Sequence, residues 1–159
     1  MKRSGKHPIN PWISNGFLVD FYLNALRSGR GPITRLIETI LNTEIACPIP
    51  DKLFLPHPYG IILGAGSKLG ENVTLMQQVT LGGKDPWCAE SDLSHEYPTL
   101  QEGVYVGAGA KILGPVTIGE WSIIGANAVI TKSIPSYATV VGFNKIIKVN
   151  DASPFSQNS

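Results

Sequence analysis

Charge is scarce in this chain. Asp, Glu, Lys and Arg together make up 16% of its 159 residues, and the formal net charge is +1. No basic stripe is available for nucleic acid or an anionic membrane surface. Cysteine is nearly absent: Cys47 and Cys88 cannot form a disulfide framework or a thiolate metal cluster, and read as free thiols in a reducing compartment. Only three histidines occur, His7, His57 and His95. A catalytic zinc of the three-histidine kind would need all of them, and His7 lies far upstream of the repeats described below. Long apolar runs are missing too, and none approaches the roughly 20 residues of a membrane span. The N-terminus is basic, but no apolar signal region follows it. The expectation is a cytoplasmic protein of one modest domain, with no nucleic-acid partner, no metal and no membrane span.

What the chain does have is a period of six. Leu100, Val106, Ile112, Ile118, Ile124 and Ile130 form an unbroken aliphatic series. Four residues after each comes a small or β-branched one: Val104, Ala110, Val116, Ser122, Ala128 and Ile134. Leu63, Leu69, Leu75 and Leu81 keep the same phase, with Ser67, Val73 and Val79. A helix repeats apolar residues at three and four, a strand at two. A period of six means a short strand and a turn, again and again. Three units close one coil of a parallel β-helix, and stacking supplies the core that no coil can bury alone. The 17 glycines suit a fold with a tight corner every six residues.

The remaining segments divide the chain. Residues 1–43 hold an irregular start and two helix candidates. Phe17 to Ser28 places Phe17, Leu18, Phe21, Tyr22, Ala25 and Leu26 on one face, and Ile33 to Leu41 places Ile33, Leu36, Ile37, Ile40 and Leu41 on one face. Gly29 and Gly31 separate them, and Pro32 suits a first helical turn. Together they form a helical cap for a β-helix over residues 44–149. Residues 44–62 fit the hexad poorly and read as a first, irregular coil. Between Gly83 and Pro98 the hexads stop, which predicts a loop (83–98) ejected from one corner; loops this long tend to be functional. Tyr137 to Val149 reads as a final strand, and residues 150–159 as a polar tail.

Several strings now carry a resemblance. Leu-Pro-His57-Pro-Tyr-Gly, the run Gln77-Gln78-Val79-Thr80-Leu81-Gly82-Gly83, the loop ending in Tyr97-Pro98-Thr99, and Val106-Gly107-Ala108-Gly109-Ala110-Lys111-Ile112-Leu113-Gly114 resemble the serine acetyltransferase group of hexapeptide-repeat acyltransferases. The match covers roughly residues 43–149. Within the group the chain looks closest to members that O-acetylate sugars in capsule, exopolysaccharide or O-antigen assembly. The resemblance implies a left-handed parallel β-helix, a homotrimer with sites between neighbouring subunits, and acetyl-CoA as donor.

Moving acetyl from a thioester to a hydroxyl needs a base of near-neutral proton affinity, an acceptor to fix its other nitrogen, and N–H donors for the oxyanion. His57 is the candidate base; as a residue alone it equally suits a turn between two prolines. The resemblance makes Glu44, in Thr43-Glu44-Ile45, its orienting partner. It also points to Gly82, Gly83, Ala108 and Ala126 as backbone contacts for the cofactor, although such residues also serve as coil corners. Lys111, Lys132 and Lys145 are candidate phosphate partners, and Gln77 a contact to the thioester or acceptor. Two departures stand out. Serine acetyltransferases carry aspartate where this chain has Pro56, and a second histidine where it has Tyr97. These favour a sugar hydroxyl as acceptor, with Tyr59, Trp87 and Tyr97 stacking on a pyranose ring. Serine acetylation in cysteine biosynthesis is the alternative, and a non-catalytic β-helical scaffold a further one.

Overall fold

The computed structural model describes residues 15–85 and 96–151. Two helices, α1 (Phe17–Ser28) and α2 (Pro32–Leu41), precede the strands. Pro32 opens α2 as expected. Thr34 closes that end, since its hydroxyl accepts from the Gly31 N–H at 2.9 Å.

Among the described residues the strands that follow are β1 (Glu44–Ile45), β2 (Leu53–Phe54), β3 (Ile62–Leu63), β4 (Lys68–Leu69), β5 (Val73–Leu75), β6 (Thr80–Gly82), β7 (Thr99–Leu100), β8 (Tyr105–Val106), β9 (Lys111–Leu113), β10 (Thr117–Ile118), β11 (Ile123–Ile124), β12 (Val129–Ile130), β13 (Ala138–Val141) and β14 (Lys145–Val149). They form three sheets. The first is β1-β3-β6-β9-β12, the second β4-β7-β10, and the third β2-β5-β8-β11-β13-β14. From β3 to β12 the chain visits first, second and third sheets in rotation, and every pairing among these strands is parallel. Glu44 pairs with Ile62, and Ile62 with Thr80, three hexads apart each time. The ejected loop does not disturb this register, because Thr80 pairs with Lys111 and Lys68 with Thr99.

The core follows the six-residue period. Val106, Ile112, Ile118, Ile124 and Ile130 are fully buried, and Leu63, Leu75 and Leu81 with them. Each such side chain contributes about 1.5–3 kcal/mol relative to exposure. The small positions also point inward. Ser122 is polar there, and both sides of its hydroxyl are used: it donates to the Pro135 carbonyl at 2.8 Å and accepts from the Ala138 N–H at 3.2 Å. A buried hydroxyl without such partners would cost stability.

The cap and the C-terminal end differ from expectation. α1 buries Tyr22 and Leu23, whereas Phe17 and Leu18 are 83% and 76% exposed. α2 buries Thr34 and leaves Ile33, Leu36 and Ile40 outside. Polar anchors set these rotations. Tyr22 donates to Glu38, Arg30 reaches both Glu38 and the Ile45 carbonyl, and Arg27 bonds the Pro50 and Asp51 carbonyls. Asn15 adds a strand-like pair of bonds, to the Leu53 carbonyl and from the Leu55 N–H. The predicted single final strand is instead an antiparallel hairpin, β13 with β14, turned through Gly142 and Asn144, both at positive φ. Strand β14 is exposed along its length.

Candidate functional site

His57 occupies the corner where the chain passes from the third sheet to the first. The turn around it is held from the preceding coil. The Thr43 hydroxyl donates to the Pro58 carbonyl at 2.7 Å and accepts from the Ile61 N–H at 3.2 Å. The Tyr59 N–H donates to the His57 carbonyl at 2.9 Å. Pro58 and Thr43 are buried while the His57 ring is exposed. Proline on either side of the histidine leaves the corner few other conformations. The ring opens onto a cleft of about 510 Å³ whose walls include Leu18, Phe21, Ile37, Ile40 and Tyr59.

Below this turn runs a column of corner residues. The Gln78 N–H bonds the Tyr59 carbonyl, the Gly109 N–H the Gln77 carbonyl, and the Asn127 N–H the Ala108 carbonyl, each at 2.8 or 2.9 Å. Tyr59, Gln77, Ala108 and Ala126 therefore stack on successive coils. The coils touch closely there: a Cβ on Gly107 would sit 2.6 Å from the Ala126 nitrogen. Gln77 is half-buried, and its Oε1 is buried without a hydrogen-bond partner. Such an acceptor suits a ligand N–H or O–H.

Gly82 and Gly83 lie at the next corner, where the first sheet gives way to the second. A groove of about 630 Å³ runs down this corner past Gly83, Lys84, Gly114, Pro115, Thr131 and Lys132. Two lysines and a line of bare backbone suit a phosphorylated ligand with a slender arm. Lys84 was not among the sequence candidates. It sits at the start of the ejected loop, and nothing in the repeat marks it.

The expected site residues thus fall on two edges of the first sheet. His57, Gln77, Tyr59, Ala108 and Ala126 share one corner, and Gly82, Gly83, Lys132 and Tyr97 the other. Glu44 is exposed on the outer face of β1 and lines a separate cleft of about 390 Å³ with Arg30, Arg35 and Glu38. No hydrogen bond joins it to His57. Lys111 does not reach out for a phosphate, because its ammonium bonds the Gln78 carbonyl at 2.7 Å and the Gly109 carbonyl at 3.1 Å. Lys145 is exposed on β14. The Tyr97 ring packs against Gly64 and Gly83, filling the space a side chain at either position would need. Trp87, His95 and His7 fall outside the described residues. Among the described residues no cluster of three or more His, Cys, Asp or Glu could hold a metal ion.

Thr43, which holds the His57 turn, carries no mark in the sequence: a threonine before a strand gives no sign that its hydroxyl will cross to a proline carbonyl in the next coil.

Comparison with known proteins agrees with the coil stack. The bacterial transferase hexapeptide (six repeats) model matches residues 97–132. The serine acetyltransferase of Mycobacterium tuberculosis is 40% identical over 104 residues, which is 65% of this chain and 43% of that protein. That of Staphylococcus xylosus is 42% identical over 91 residues, 57% of this chain and 40% of the relative. Among solved structures, the serine acetyltransferase of Brucella abortus strain S19 in complex with coenzyme A superposes with a TM-score of 0.68 at 31% identity, covering 83% of this chain and 54% of the other. A serine acetyltransferase in complex with cysteine gives 0.69 at 30% identity, covering 84% and 53%. The chain spans about half the length of these proteins, or less. These relatives are serine acetyltransferases, and the expectation of a polysaccharide sugar O-acetyltransferase falls with them. The chain carries the hexapeptide repeat of bacterial transferases over residues 97–132 and is similar, over its coil stack, to serine acetyltransferases.

Proposed function

We propose that this protein is a serine O-acetyltransferase that takes acetyl from acetyl-CoA. The observation that carries the reading is the coil stack itself. It is 40% identical to a serine acetyltransferase over 104 residues and presents an exposed histidine above a column of bare backbone corners. The His57 imidazole accepts the hydroxyl proton as the serine oxygen attacks the thioester carbonyl carbon. The tetrahedral oxyanion collapses, the carbon–sulfur bond breaks, and the coenzyme A thiolate takes the proton back from the imidazolium. O-acetylserine and coenzyme A leave, and the histidine is neutral again. Proton transfer of this kind is worth about 10²–10⁴ in rate.

Glu44, one residue on from the Thr43 whose hydroxyl holds the histidine turn, is the acidic partner in this proposal, although in the structure it lines a separate cleft with Arg30 and Glu38 and would have to turn toward His57. Gln77 contributes its unpaired Oε1, Ala108 and Ala126 offer main chain to the pantetheine arm, and Gly82, Gly83, Lys84 and Lys132 line the groove for the remainder of the cofactor. The coils are left-handed, and the molecule is a homotrimer in the cytoplasm. Support for the trimer is the division of the site: each subunit carries a histidine corner on one edge of the first sheet and a groove on the other. Two neighbouring subunits complete one site. Its three parts are the irregular N-terminal segment with the helical cap (1–43), the coil stack (44–149) and the polar tail (150–159).

The test is release of coenzyme A thiol on mixing the protein with acetyl-CoA and L-serine. Turnover on the order of 1–10³ s⁻¹ is expected. A rate with L-serine no higher than hydrolysis without acceptor overturns the serine assignment.

A further inference from the structure

A Cβ built on Gly64 would lie 2.0 Å from Tyr97 Cε1, and one on Gly83 would lie 2.9 Å from Tyr97 Cζ. Those two glycines sit on successive coils, so one phenol ring covers backbone from both. The covering explains why neither position carries a side chain. On the far side of Gly83 the groove begins, with Gly83 and Lys84 as its upper wall. The Lys84 N–H bonds the Glu96 carbonyl at 3.1 Å, which ties the outgoing chain to the returning one. Pro98, next to Tyr97, is buried, and its carbonyl accepts from the Lys68 N–H at 3.0 Å. Tyr97 is therefore anchored on its C-terminal side by the coil and presses inward on the two glycines.

We infer that Tyr97 is a positioning residue: its ring clamps the base of the ejected loop onto the Gly64 and Gly83 backbone and so fixes Gly83 and Lys84 as the wall of the cofactor groove. The inference rests on the proposed use of acetyl-CoA for its kinetic consequence, while the clamp itself is judged separately. An aromatic ring packed against glycine backbone acts through area and shape, so the hydroxyl is dispensable. A ring that served the chemistry directly would need its oxygen.

The experiment measures native-state hydrogen exchange of the Lys84 amide and steady-state kinetics side by side. Tyr97→Phe should leave the exchange rate, the KM for acetyl-CoA and kcat unchanged. Tyr97→Leu should raise Lys84 exchange by about tenfold or more, with the Thr80 and Lys111 amides unaffected. It should raise the KM for acetyl-CoA by a similar factor and leave kcat within about threefold. Gly64→Ala, which pushes the ring away, should reproduce that pattern, and the double variant should be no worse than either single one. Should Tyr97→Leu fail to fold, Tyr97→His, with a smaller ring, should give an intermediate rise in Lys84 exchange. Unchanged Lys84 exchange in Tyr97→Leu or Tyr97→His overturns the clamp. A loss of kcat in Tyr97→Phe with KM unchanged overturns it as well, since the hydroxyl is then part of the chemistry. Calorimetry of the wild-type protein with coenzyme A separates the two readings. An absence of binding defeats the acetyltransferase proposal, and the exchange data still decide the clamp.

Discussion

His57 and Cys47 differ in how far they meet water, and their expected behaviour follows. The His57 ring is open to a cleft, and His57→Ala should lower kcat by about 10²–10⁴ with the melting temperature little changed. Retention of activity within tenfold would remove the imidazole from the mechanism. Cys47 is buried, and burial pushes its thiol up to about 11 from an ordinary 9.0. The folded state therefore holds this proton more tightly than the unfolded chain. Its contribution to stability is fully present below pH 9 and is lost as pH rises through about 11. Melting temperature measured across pH 8–11 should fall over that window, and Cys47→Ala should remove this part of the fall. The alkaline limb left in that variant belongs to Tyr22, whose phenol is raised by burial and then by the neighbouring Glu38 carboxylate. Lys111 shows that residue type alone misleads. The sequence offers a lysine at a plausible phosphate position, but two coil carbonyls hold its ammonium. Lys111→Met should change coenzyme A affinity less than threefold in calorimetry, and Lys132→Met considerably more.

The strands and corners were the part most open to reading. An aliphatic residue every sixth position has one economical use, a ladder inside a stack of short strands, and Ile112, Ile118, Ile124 and Ile130 are all fully buried. Ile112→Ala should cost about 2–5 kcal/mol in a denaturation experiment, because the neighbours above and below cannot close on the cavity. Corners are equally strict where coils touch. A Cβ on Gly119 would come within 2.3 Å of the Ser136 nitrogen, main chain that cannot swing aside. Gly119→Ala should cost about 1–3 kcal/mol or more. The helices were legible in extent but not in orientation. The apolar period in α2 nominates Ile33, Leu36 and Ile40 for burial, yet the Arg30 and Tyr22 bonds to Glu38 turn those residues outward. A helical pattern reports that an apolar stripe exists. What the stripe meets depends on which polar contacts the rest of the chain provides.

Across the whole molecule, the first sheet has two unlike edges. One edge carries the His57 turn and the Gln77–Ala108–Ala126 column, the other the groove past Gly83 and Lys132. The proposed sharing of the site between subunits predicts that an inactive His57→Ala chain and an inactive Lys132→Glu chain partly restore activity when refolded together. One third or less of the wild-type rate is a reasonable expectation for random mixing, and no recovery at all would mean that each subunit's site is complete in itself. Sedimentation of the wild-type protein should show a trimer at the same concentration.

The period of six by itself determined the stack of short parallel strands, its buried ladder and the place where a loop leaves it, because a repeating steric requirement writes itself along the chain. Pairings between residues far apart in sequence were decided only by the folded structure. Thr43 against Pro58, Lys111 on its two carbonyls, Tyr97 against Gly64 and Gly83, and Glu44 in a cleft with Arg30 and Glu38 all depend on which coil lies against which. A side chain's partner across the stack leaves no mark on its neighbours in sequence, so periodicity could nominate these residues without assigning them their contacts.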